Sequence, residues 1–384
     1  MKILIIHNKY QSNNVGGEDI VYQNELISLK EVLGDENVLS YEVANDDISK
    51  IKLLYGIWFS LKHYRIVKKI VRDKKIDIVH VHNFFPLLTP SVFKAAKKGG
   101  AMVIHTLHNY RLWCISGILY RDGHGACELC VKKLLPKAGV INKCYRKSSI
   151  QSLLAQLAFS FYKVMGFFKS IDYYFVLTNF QQEKVKSLGI PDNKIKLKPN
   201  GMSISQKTIN ESKHGYIYVG RLEEAKGILS LLEAWSQLDE NYVLTIIGNG
   251  DIADDLELRY NAKNIVFKGK CSREDTLKYI SKSKYLIQPS LLYEAFGLTN
   301  IEAMNFGVPV IGFDIGTRGD FIKDQENGFL VTDNNLCETL KKSYNYSDYD
   351  KLSINAMNTA KLYANDYITA KQIEIYRDIL ESAG

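Results

Sequence analysis

The chain has 384 residues, of which 46% are hydrophobic and 24% are charged, and its formal net charge is +8. This composition excludes a disordered or fibrous protein, and the length suits two domains rather than one hydrophobic core. No apolar run approaches the roughly 18 residues of a membrane-spanning helix, and the opening MKILIIHNKY is too short for a signal peptide. We therefore expect a cytoplasmic protein whose six cysteines are reduced.

The positive charge lies in the first half of the chain. Residues 1–200 hold 30 Lys and Arg against 16 Asp and Glu, a net charge of +14. Residues 201–384 hold 20 against 26, a net charge of −6. This asymmetry predicts that the first half meets a polyanion or an anionic membrane.

Short apolar runs alternate with helical stretches along the whole chain. Strands are predicted in the first half at Lys2–His7, Ile76–His82, Met102–Leu107 and Tyr173–Leu177. Strands are predicted in the second half at Tyr216–Val219, Val243–Ile247, Ile265–Phe267, Tyr285–Ile287 and Val308–Gly312. Such alternation is typical of parallel sheets covered by helices on both faces. We predict an α/β fold of two doubly wound, Rossmann-like domains that face a cleft, with ligands at the carboxyl ends of strands.

Turn-forming residues cluster between the two series of strands, at residues 197–215. We place the N-terminal domain at residues 1–198, with a cysteine-containing insertion at 112–146. The C-terminal domain follows at residues 199–364. Residues 365–384 are predicted to form a helix that packs back toward the N-terminal domain.

The first candidate ligand site follows the first strand of the second half. The segment Tyr218–Gly227 leads from that strand to Arg221 and Lys226. Two cations just past a strand end suit a diphosphate, because Arg offers a planar fork and Lys a point charge. A solvated surface pair is the alternative.

The next strand ends in a glycine turn, IIGNGD, at residues 246–251. Gly248, Gly250 and Ala253 fit the dinucleotide-binding pattern Gly-x-Gly-x-x-Ala, which also needs an acidic residue about 20 positions later. The chain has FKGK at residues 267–270, and the motif follows the second strand of the domain rather than the first. These departures disfavour a dinucleotide oxidoreductase and favour a turn that passes close to a nucleotide.

The stretch SLLYEAFGLTNIEAMNFGVPVIG, residues 290–312, predicts a strand end, a turn and a helix. If the helix begins near Phe296 or Gly297, its free N–H groups can bind a phosphate oxygen, and the glycine permits close approach. Glu294 in the turn could reach a sugar, and Glu302 within the helix could accept hydrogen bonds from two ribose hydroxyls. A solvated carboxylate face is the alternative.

Together these motifs resemble the retaining glycosyltransferases of family 4, which have the GT-B fold. The resemblance spans nearly the whole chain, and the motifs occur in the order found in the family. The matching residues are Gly220-Arg221, Lys226-Gly227, Gly248-Asn-Gly250 and the segment from Glu294 to Glu302.

The resemblance implies a role for each of these residues. It makes Arg221 and Lys226 the cations on the donor diphosphate, Glu294 the contact to the donor sugar, and Glu302 the ribose ligand. The amides of three consecutive residues would face the phosphates and the sugar: Phe296, Gly297 and Leu298.

In the first half, the resemblance continues in VGGE at residues 15–18. It implies that the loop with Gly16 and Gly17 faces the donor phosphates and the acceptor, although a plain tight turn is also possible. His108, at a strand end, matches the family position that contacts the donor sugar. Three histidines are nearby competitors for this role: His80, His82 and His105.

No metal is required for the chemistry that the resemblance implies. Glycosyltransferases with the other common fold hold Mn²⁺ with an Asp-x-Asp motif, and the only such triplet here, Asp348-Tyr-Asp350, lies far from any candidate site. Arg221, Lys226 and a helix N-terminus would supply the positive charge instead.

Four cysteines fall within the insertion: Cys114, Cys127, Cys130 and Cys144. One Cys-x-x-Cys flanked by two single thiols is plausible for a structural, non-catalytic Zn²⁺ site, and a subset of family 4 members is similar here. Four reduced thiols are the alternative, and a redox-active pair is disfavoured because the context is not thioredoxin-like.

Two helices are candidates for contact with a membrane. Residues 62–75 carry seven Lys and Arg, and residues 150–171 contain 14 apolar residues with a narrow polar stripe. Such helices can lie on an anionic bilayer, although a solvated helix and a core helix would look similar.

We therefore predict a metal-independent glycosyltransferase, peripheral on the inner face of the cell membrane, with no nucleic acid partner. It would move a sugar from a nucleotide-diphosphate donor to a saccharide, expected to be lipid-linked, in the biosynthesis of a surface polysaccharide such as lipopolysaccharide or capsule. A nucleotide-sugar epimerase of the same fold and a zinc-dependent nucleic-acid-binding protein are the alternatives.

Overall fold

The computed structural model describes residues 1–9, 16–45, 55–204 and 213–382. The chain divides into two compact units. The N-terminal unit comprises residues 1–119, 128–202 and 365–384. The C-terminal unit comprises residues 120–127 and 203–364.

The described residues form parallel sheets, helices and one short hairpin. The strands are β1 (Ile3–Lys9), β2 (Val38–Ala44), β3 (Ile78–Val81), β4 (Met102–Thr106), β5 (Tyr120–Arg121), β6 (Gly125–Ala126), β7 (Tyr173–Val176), β8 (Ile195–Leu197), β9 (His214–Val219), β10 (Leu244–Ile247), β11 (Ile265–Phe267), β12 (Ser283–Gln288), β13 (Val310–Phe313) and β14 (Gly328–Val331). The α-helices are α1 (Gly17–Leu33), α2 (Leu61–Lys74), α3 (Ser91–Gly99), α4 (Ala138–Ile141), α5 (Ser149–Val164), α6 (Asn179–Ser187), α7 (Ile228–Trp235), α8 (Ala253–Arg259), α9 (Arg273–Lys282), α10 (Leu298–Asn305), α11 (Arg318–Phe321), α12 (Leu336–Tyr344), α13 (Tyr349–Lys361) and α14 (Asn365–Glu381).

The N-terminal unit is built on a six-stranded parallel sheet in the order β2-β1-β3-β4-β7-β8. Its central strands are continuous apolar runs because both faces of a parallel sheet are buried. Helices α1 and α14 contribute Tyr22, Leu26 and Tyr376 to one hydrophobic cluster with Ile5 and Phe175 of the sheet. The last helix of the chain is thus part of this core.

The C-terminal unit contains a second six-stranded parallel sheet, in the order β11-β10-β9-β12-β13-β14. Its core includes the fully buried Trp235, whose ring packs edge-on against Tyr216 with centroids 5.2 Å apart. From β9 the chain continues to β10 on one side, whereas β12 lies on the other side. The carboxyl end of β9 is therefore a topological switch point, the place where such sheets bind ligands.

All nine strands predicted from the sequence are present, with ends within two residues of the expected positions. The prediction of two doubly wound parallel sheets is therefore confirmed, whereas the cleft between the two domains stays a prediction. The strands that the sequence did not predict are β2, β8, β14 and the antiparallel hairpin β5–β6.

Candidate active site

In the C-terminal unit, the loops after β9 and β12 touch each other. The amide of Leu291 donates to the carbonyl of Ala225 at 3.0 Å. Gly227 has a φ of +70°, and a Cβ at this position would lie 1.8 Å from the carbonyl oxygen of Pro289. Only glycine permits this approach, which holds Lys226 beside the loop that carries Glu294.

Lys226 and Glu294 form an ion pair at this contact. The distance from Lys226 Nζ to Glu294 Oε1 is 2.6 Å, and both side chains are largely buried. The same carboxylate oxygen accepts a hydrogen bond from Ser290 Oγ at 2.9 Å. Burial alone would raise the pKa of Glu294, but Lys226, Arg318 and Ser290 together hold it below its usual value. Glu294 is therefore an anion in this loop.

Arg318, at the start of α11, forms hydrogen bonds to the loop that carries Glu294. It is fully buried, and its guanidinium donates to the carbonyls of Phe313, Ser290 and Leu292 at 2.7, 2.7 and 3.1 Å. Burial lowers the pKa of Arg318 to about 10, so it stays charged at neutral pH. A buried cation bonded to carbonyls fixes the backbone on which Glu294 lies.

Helix α10 begins directly after this loop, with Gly297 as its N-cap in the left-handed region at a φ of 85°. No side chain caps the helix, so its first N–H groups are available to an anion. The ring of Phe296 is buried against Phe321 and Tyr363. Phe296 can therefore offer a ligand only its backbone, as can Gly297, whereas Leu298 is partly exposed.

Glu302 lies within α10 and is buried. Its Oε1 lies 2.7 Å from Nη1 of Arg273, the first residue of α9. This ion pair neutralises a carboxylate that would otherwise be costly to bury. A ribose at Glu302 would therefore meet a carboxylate that already has a cationic partner.

The glycine turn after β10 packs against the loop after β9. A Cβ at Gly248 would lie 1.8 Å from the carbonyl oxygen of Gly220, and a Cβ at Gly250 would lie 2.1 Å from that of Leu222. Both glycines are thus required by loop packing alone. Arg221, in the facing loop, is 68% exposed and pairs with Glu223 at 3.1 Å, so its guanidinium is not fixed as that of Arg318 is.

In the N-terminal unit, His108 follows β4 and His82 follows the neighbouring strand β3. His108 Nε2 lies 3.0 Å from His82 Nδ1, and His82 Nε2 lies 3.2 Å from Oε1 of Glu25 in α1. Lys198 donates to the other oxygen of Glu25. Burial alone would raise the pKa of Glu25, but the ammonium of Lys198 holds it well below its usual range. Glu25 is therefore an anion and only accepts hydrogen bonds.

This chain of contacts sets the protonation of His108. Burial lowers the pKa of His82 to about 3 despite Glu25, and burial together with the ammonium of Lys198 holds the pKa of His108 well below its usual value. Both rings are then neutral at pH 7. His82 Nε2–H donates to Glu25, so His82 Nδ1 accepts from His108 Nε2–H. The Nδ1 of His108 is left as an acceptor, suited to a sugar hydroxyl.

Gly16 and Gly17 lie at the start of α1, which begins at Gly17 with Gly16 as its N-cap. The amide of Gly16 donates to Asp19 Oδ2 at 2.8 Å, and the other oxygen of Asp19 lies 2.7 Å from His7 Nε2. A Cβ at Gly17 would meet no described atom within 4 Å. Packing among the described residues therefore does not require glycine at Gly17.

Glu25, His80 and His82 offer ligand atoms within 4.8 Å of one another, a spacing that a metal ion could use. The Glu25 carboxylate is already occupied, however, by the ammonium of Lys198 and by Gln372 Nε2 at 2.6 Å. His80 Nδ1 lies 2.7 Å from the hydroxyl of Tyr376. We interpret this set as an internally satisfied polar network rather than a metal site.

Two family models match the chain, one after the other. Glycosyltransferase Family 4 matches residues 32–206, and Glycosyl transferases group 1 matches residues 202–346. The second match contains the whole Lys226–Glu294 site and its helix. The chain belongs to the group 1 glycosyltransferases.

Relatives and solved structures of this glycosyltransferase agree with the family. A 41.2 kDa protein in the cps region of Klebsiella pneumoniae is 25% identical over 284 residues, 70% of this chain and 68% of that protein. An Escherichia coli UDP-Gal:alpha-D-GlcNAc-diphosphoundecaprenol alpha-1,3-galactosyltransferase is 24% identical over 219 residues, 51% of this chain and 56% of that protein. The structure of Anabaena HepE in complex with UDP and glucose superposes with a TM-score of 0.67 at 16% identity, over 98% of this chain and all of that one. The GT-B fold predicted from the sequence is confirmed.

The structure does not support the zinc site that the cysteines of this glycosyltransferase suggest. All four residues are described, yet no three of their sulfur atoms lie within 4.8 Å of one another. Cys127 belongs to the C-terminal unit and the other three to the N-terminal unit. The Cys114 thiol lies 3.0 Å from Ser116 Oγ. A tetrahedral site needs all its ligands about 2.3 Å from one ion, which this arrangement does not provide.

Helix α5 of the glycosyltransferase buries Phe159 and Tyr162 but also buries polar side chains and leaves apolar ones exposed. Its polar Ser152 and Gln156 are buried, whereas Ile150 is 81% and Val164 66% exposed. Ser152 Oγ accepts from the amide of Tyr145 at 2.9 Å. Among the described residues, no helix is long and apolar enough to cross a membrane.

Several residues of the site were not predicted from the sequence. Arg318 holds the loop of Glu294, and Arg273 pairs with Glu302. The chain of contacts that starts at His108 runs through His82 and Glu25 to Lys198. Only His82 carried a signal, as a competitor to His108 at a strand end. Lys198 and Glu25 are separated by 173 positions, so no local pattern could join them.

Proposed function

We propose that this glycosyltransferase transfers a sugar, with retention of configuration, from a nucleotide-diphosphate donor to a lipid-linked saccharide during cell-surface polysaccharide biosynthesis. The observation that carries the proposal is the Lys226–Glu294 ion pair at 2.6 Å, next to the uncapped start of α10 at the switch point of the sheet. The relative from Escherichia coli, named for a UDP-Gal donor and a diphosphoundecaprenol acceptor, supports both the donor and the acceptor class.

In this proposal the charges of the C-terminal unit bind the donor. Lys226 and Arg221 contact the diphosphate, and the backbone of residues 296–298 donates to its oxygens. Glu294 accepts from hydroxyls of the sugar, and Glu302 accepts from the ribose. Gly248 and Gly250 keep the neighbouring loop close enough for Arg221 to reach the phosphates.

The N-terminal unit contributes His108 as a neutral contact of the transferred sugar, through its Nδ1 acceptor. Gly16 and Gly17, at the start of α1, face the acceptor and the donor phosphates. Because His108 is neutral, it orients the sugar rather than protonating the leaving group.

The chemistry needs stabilisation of a departing diphosphate. The bond from the anomeric carbon to the phosphate oxygen breaks, and its electron pair goes to the diphosphate, where Lys226 and the α10 amides stabilise the charge. The acceptor hydroxyl attacks the oxocarbenium-like carbon from the same face, and a donor phosphate oxygen takes its proton. We propose that these protein charges, rather than a metal ion, act on the diphosphate.

We also propose that the enzyme is peripheral on the inner face of the cell membrane. The exposed apolar row of α5 and the exposed Lys62, Arg65, Lys69 and Arg72 of α2 both belong to the N-terminal unit. An apolar row and a basic row in the same unit suit an anionic bilayer.

A nucleotide-sugar epimerase of the same fold remains the alternative. It would use the donor site without an acceptor, so donor incubated alone would return the epimeric nucleotide sugar. The zinc-dependent nucleic-acid-binding alternative loses its basis because the cysteines do not converge.

The test is a transfer assay with a panel of nucleotide sugars and lipid-linked saccharides, run in excess EDTA. We expect one pair to give product whose new linkage, read by NMR, has the anomeric configuration of the donor. Inverted product would contradict retention, and activity that returns only with Mg²⁺ or Mn²⁺ would contradict the metal-free site.

A further inference from the structure

A cavity in the N-terminal unit lies between the 112–146 insertion and helix α5 and has a volume of about 360 Å³. We propose that it binds the phosphate and the adjoining hydrocarbon of the lipid that carries the acceptor saccharide. This inference rests on the proposed function and assigns to the lipid part of the acceptor a site of its own. The volume lies within the range of about 300–1,000 Å³ that is usual for ligand pockets.

The walls of this cavity are mainly apolar. Leu112, Trp113 and Phe168 contribute to them. The indole N–H of Trp113 donates to the carbonyl of Leu188 at 3.0 Å, so its one polar atom is satisfied by the protein and the rest of the ring is hydrocarbon. A cavity of this kind is favourable for an alkyl or isoprenoid chain and unfavourable for a free sugar.

Three lysines line the same cavity: Lys132, Lys133 and Lys163. None of them forms an ion pair with any residue in the described part of the chain. Lys163 is half-buried, and burial lowers its pKa below the usual value. Lys132 and Lys133 are exposed and Lys163 is partly dehydrated, so the three lysines add positive charge to the lining of an apolar cavity. A phosphate attached to a hydrocarbon would complement both features.

The position of the cavity favours the acceptor lipid over a bulk phospholipid. Leu112 also lines a second, much smaller cavity, whose walls include His82 and His108. Leu112 is therefore a wall shared with the cavity that contains the histidine proposed to contact the transferred sugar. At the other side, Leu134 lines the cavity and is 50% exposed, and Val164 next to Lys163 is also exposed. Exposed apolar residues thus adjoin the cavity, and Val164 belongs to the apolar row of α5 that is proposed to meet the membrane.

The test is calorimetric titration of the full-length protein with farnesyl phosphate, a single isoprenoid chain with one phosphate. Farnesol, inorganic phosphate and dihexanoyl phosphatidylglycerol form the comparison arms. We expect farnesyl phosphate to bind about tenfold or more tightly than each of them, since charge-assisted contacts and chain burial are both needed. Equal binding of farnesol would remove the phosphate from the proposal, and equal binding of the phospholipid would make the site a general lipid site; either result overturns it.

A pair of matched variants tests the lysines. Lys133→Gln/Lys163→Gln should weaken binding of farnesyl phosphate about tenfold or more, whereas Lys2→Gln/Lys98→Gln, at two exposed lysines of the same unit, should leave it unchanged. Equal affinity of the two double variants would overturn the inference. A separate measurement tests the proposed function: nucleotide binding by the C-terminal unit, without any lipid. The two proposals can therefore fail independently.

Discussion

The ammonium of Lys226 lies 2.6 Å from the carboxylate of Glu294, although 68 positions separate the two residues along the chain. The contact between Gly227 and Pro289 makes this pair possible, and Arg318 fixes the loop on the acidic side. The cation proposed for the leaving group and the anion proposed for the sugar are thus held together before any donor binds. Such preorganisation is the main source of electrostatic catalysis.

Lys226→Ala and Arg221→Ala should each reduce turnover strongly without unfolding the protein. Loss of one preorganised charge on a leaving group costs about 2.7–4 kcal/mol of barrier, or about 10²–10³ in kcat. Lys226→Ala should be the more severe, because Arg221 is exposed and less fixed. Steady-state kinetics with the cognate donor measure the effect, and Lys263→Ala, at an exposed site of the same unit, is the control. Near-normal rates in both variants would remove the diphosphate assignment.

Glu302→Gln should weaken nucleotide binding, whereas Glu294→Gln should chiefly slow transfer. The two acids are proposed to meet different ends of the donor, and each has its own cation, Arg273 and Lys226. Titration with free nucleotide and measurement of kcat separate the effects, with the exposed Glu326→Gln as the matched control. Our division of roles is wrong if both changes alter only the affinity for free nucleotide.

The motifs of the C-terminal unit could be located from the sequence because each follows an apolar strand. Because Lys226 and Glu294 follow strands, the sequence predicted them as ligand-binding residues. It did not predict their contact with each other, which depends on the close packing of Gly227 against Pro289. Gly248 and Gly250 were interpreted as approach points for a nucleotide, whereas the structure also gives them a packing role against the β9 loop. Arg318 and Arg273 were not predicted, because an isolated arginine carries no local signal of its partner.

The N-terminal unit should lose stability in mild acid. Burial lowers the pKa of His82 to about 3 and that of His105 to about 4, whereas the unfolded chain titrates near 6.5. Between these values the unfolded state binds more protons than the folded state, so the free energy of unfolding falls as the pH falls from 6.5 toward 4. Each histidine contributes about 1.4 kcal/mol for each pH unit.

Urea unfolding at several pH values measures this slope. In a Trp235→Phe background, the remaining tryptophans, Trp58 and Trp113, report on the N-terminal unit alone. His105→Asn keeps a donor to the carbonyl of Val81. It should reduce the slope of the free energy of unfolding against pH by about 1.4 kcal/mol per pH unit, the contribution of one proton. A slope that this variant does not change would contradict the assignment of His105 as a buried neutral ring.

Binding to liposomes should require anionic lipid and weaken in high salt. Replacing Lys68, Lys69 and Arg72 with Gln should cost about 3 kcal/mol, since each basic residue near such a surface contributes about 1 kcal/mol. Ile150→Ser with Val164→Ser should weaken binding without affecting its salt dependence. Sedimentation measures both, with Lys263, Lys278 and Lys323 changed to Gln as the control. Equal binding to neutral and anionic vesicles would contradict the electrostatic part.

For the N-terminal unit, the sequence predicted less of the site than of the fold. His108 stood out by its position after a strand, but its protonation depends on Glu25 and Lys198, which only the folded sheet brings together. The apolar content of residues 150–171 predicted an amphipathic helix without deciding which side is buried. The spacing of the cysteines suggested zinc, yet spacing along the chain does not ensure that the thiols converge.

The most direct test of the central claim is thermal unfolding with a panel of nucleoside diphosphates. A ligand that binds only the folded protein raises its Tm. At a hundredfold excess over Kd, it adds about 2.7 kcal/mol to the free energy of unfolding. We predict that one base is preferred, that its diphosphate stabilises far more than its monophosphate, and that Lys226→Ala removes the difference while Lys263→Ala retains it. A Tm that no nucleoside diphosphate raises, or a preference for the diphosphate over the monophosphate that survives in Lys226→Ala, would contradict the proposed donor site.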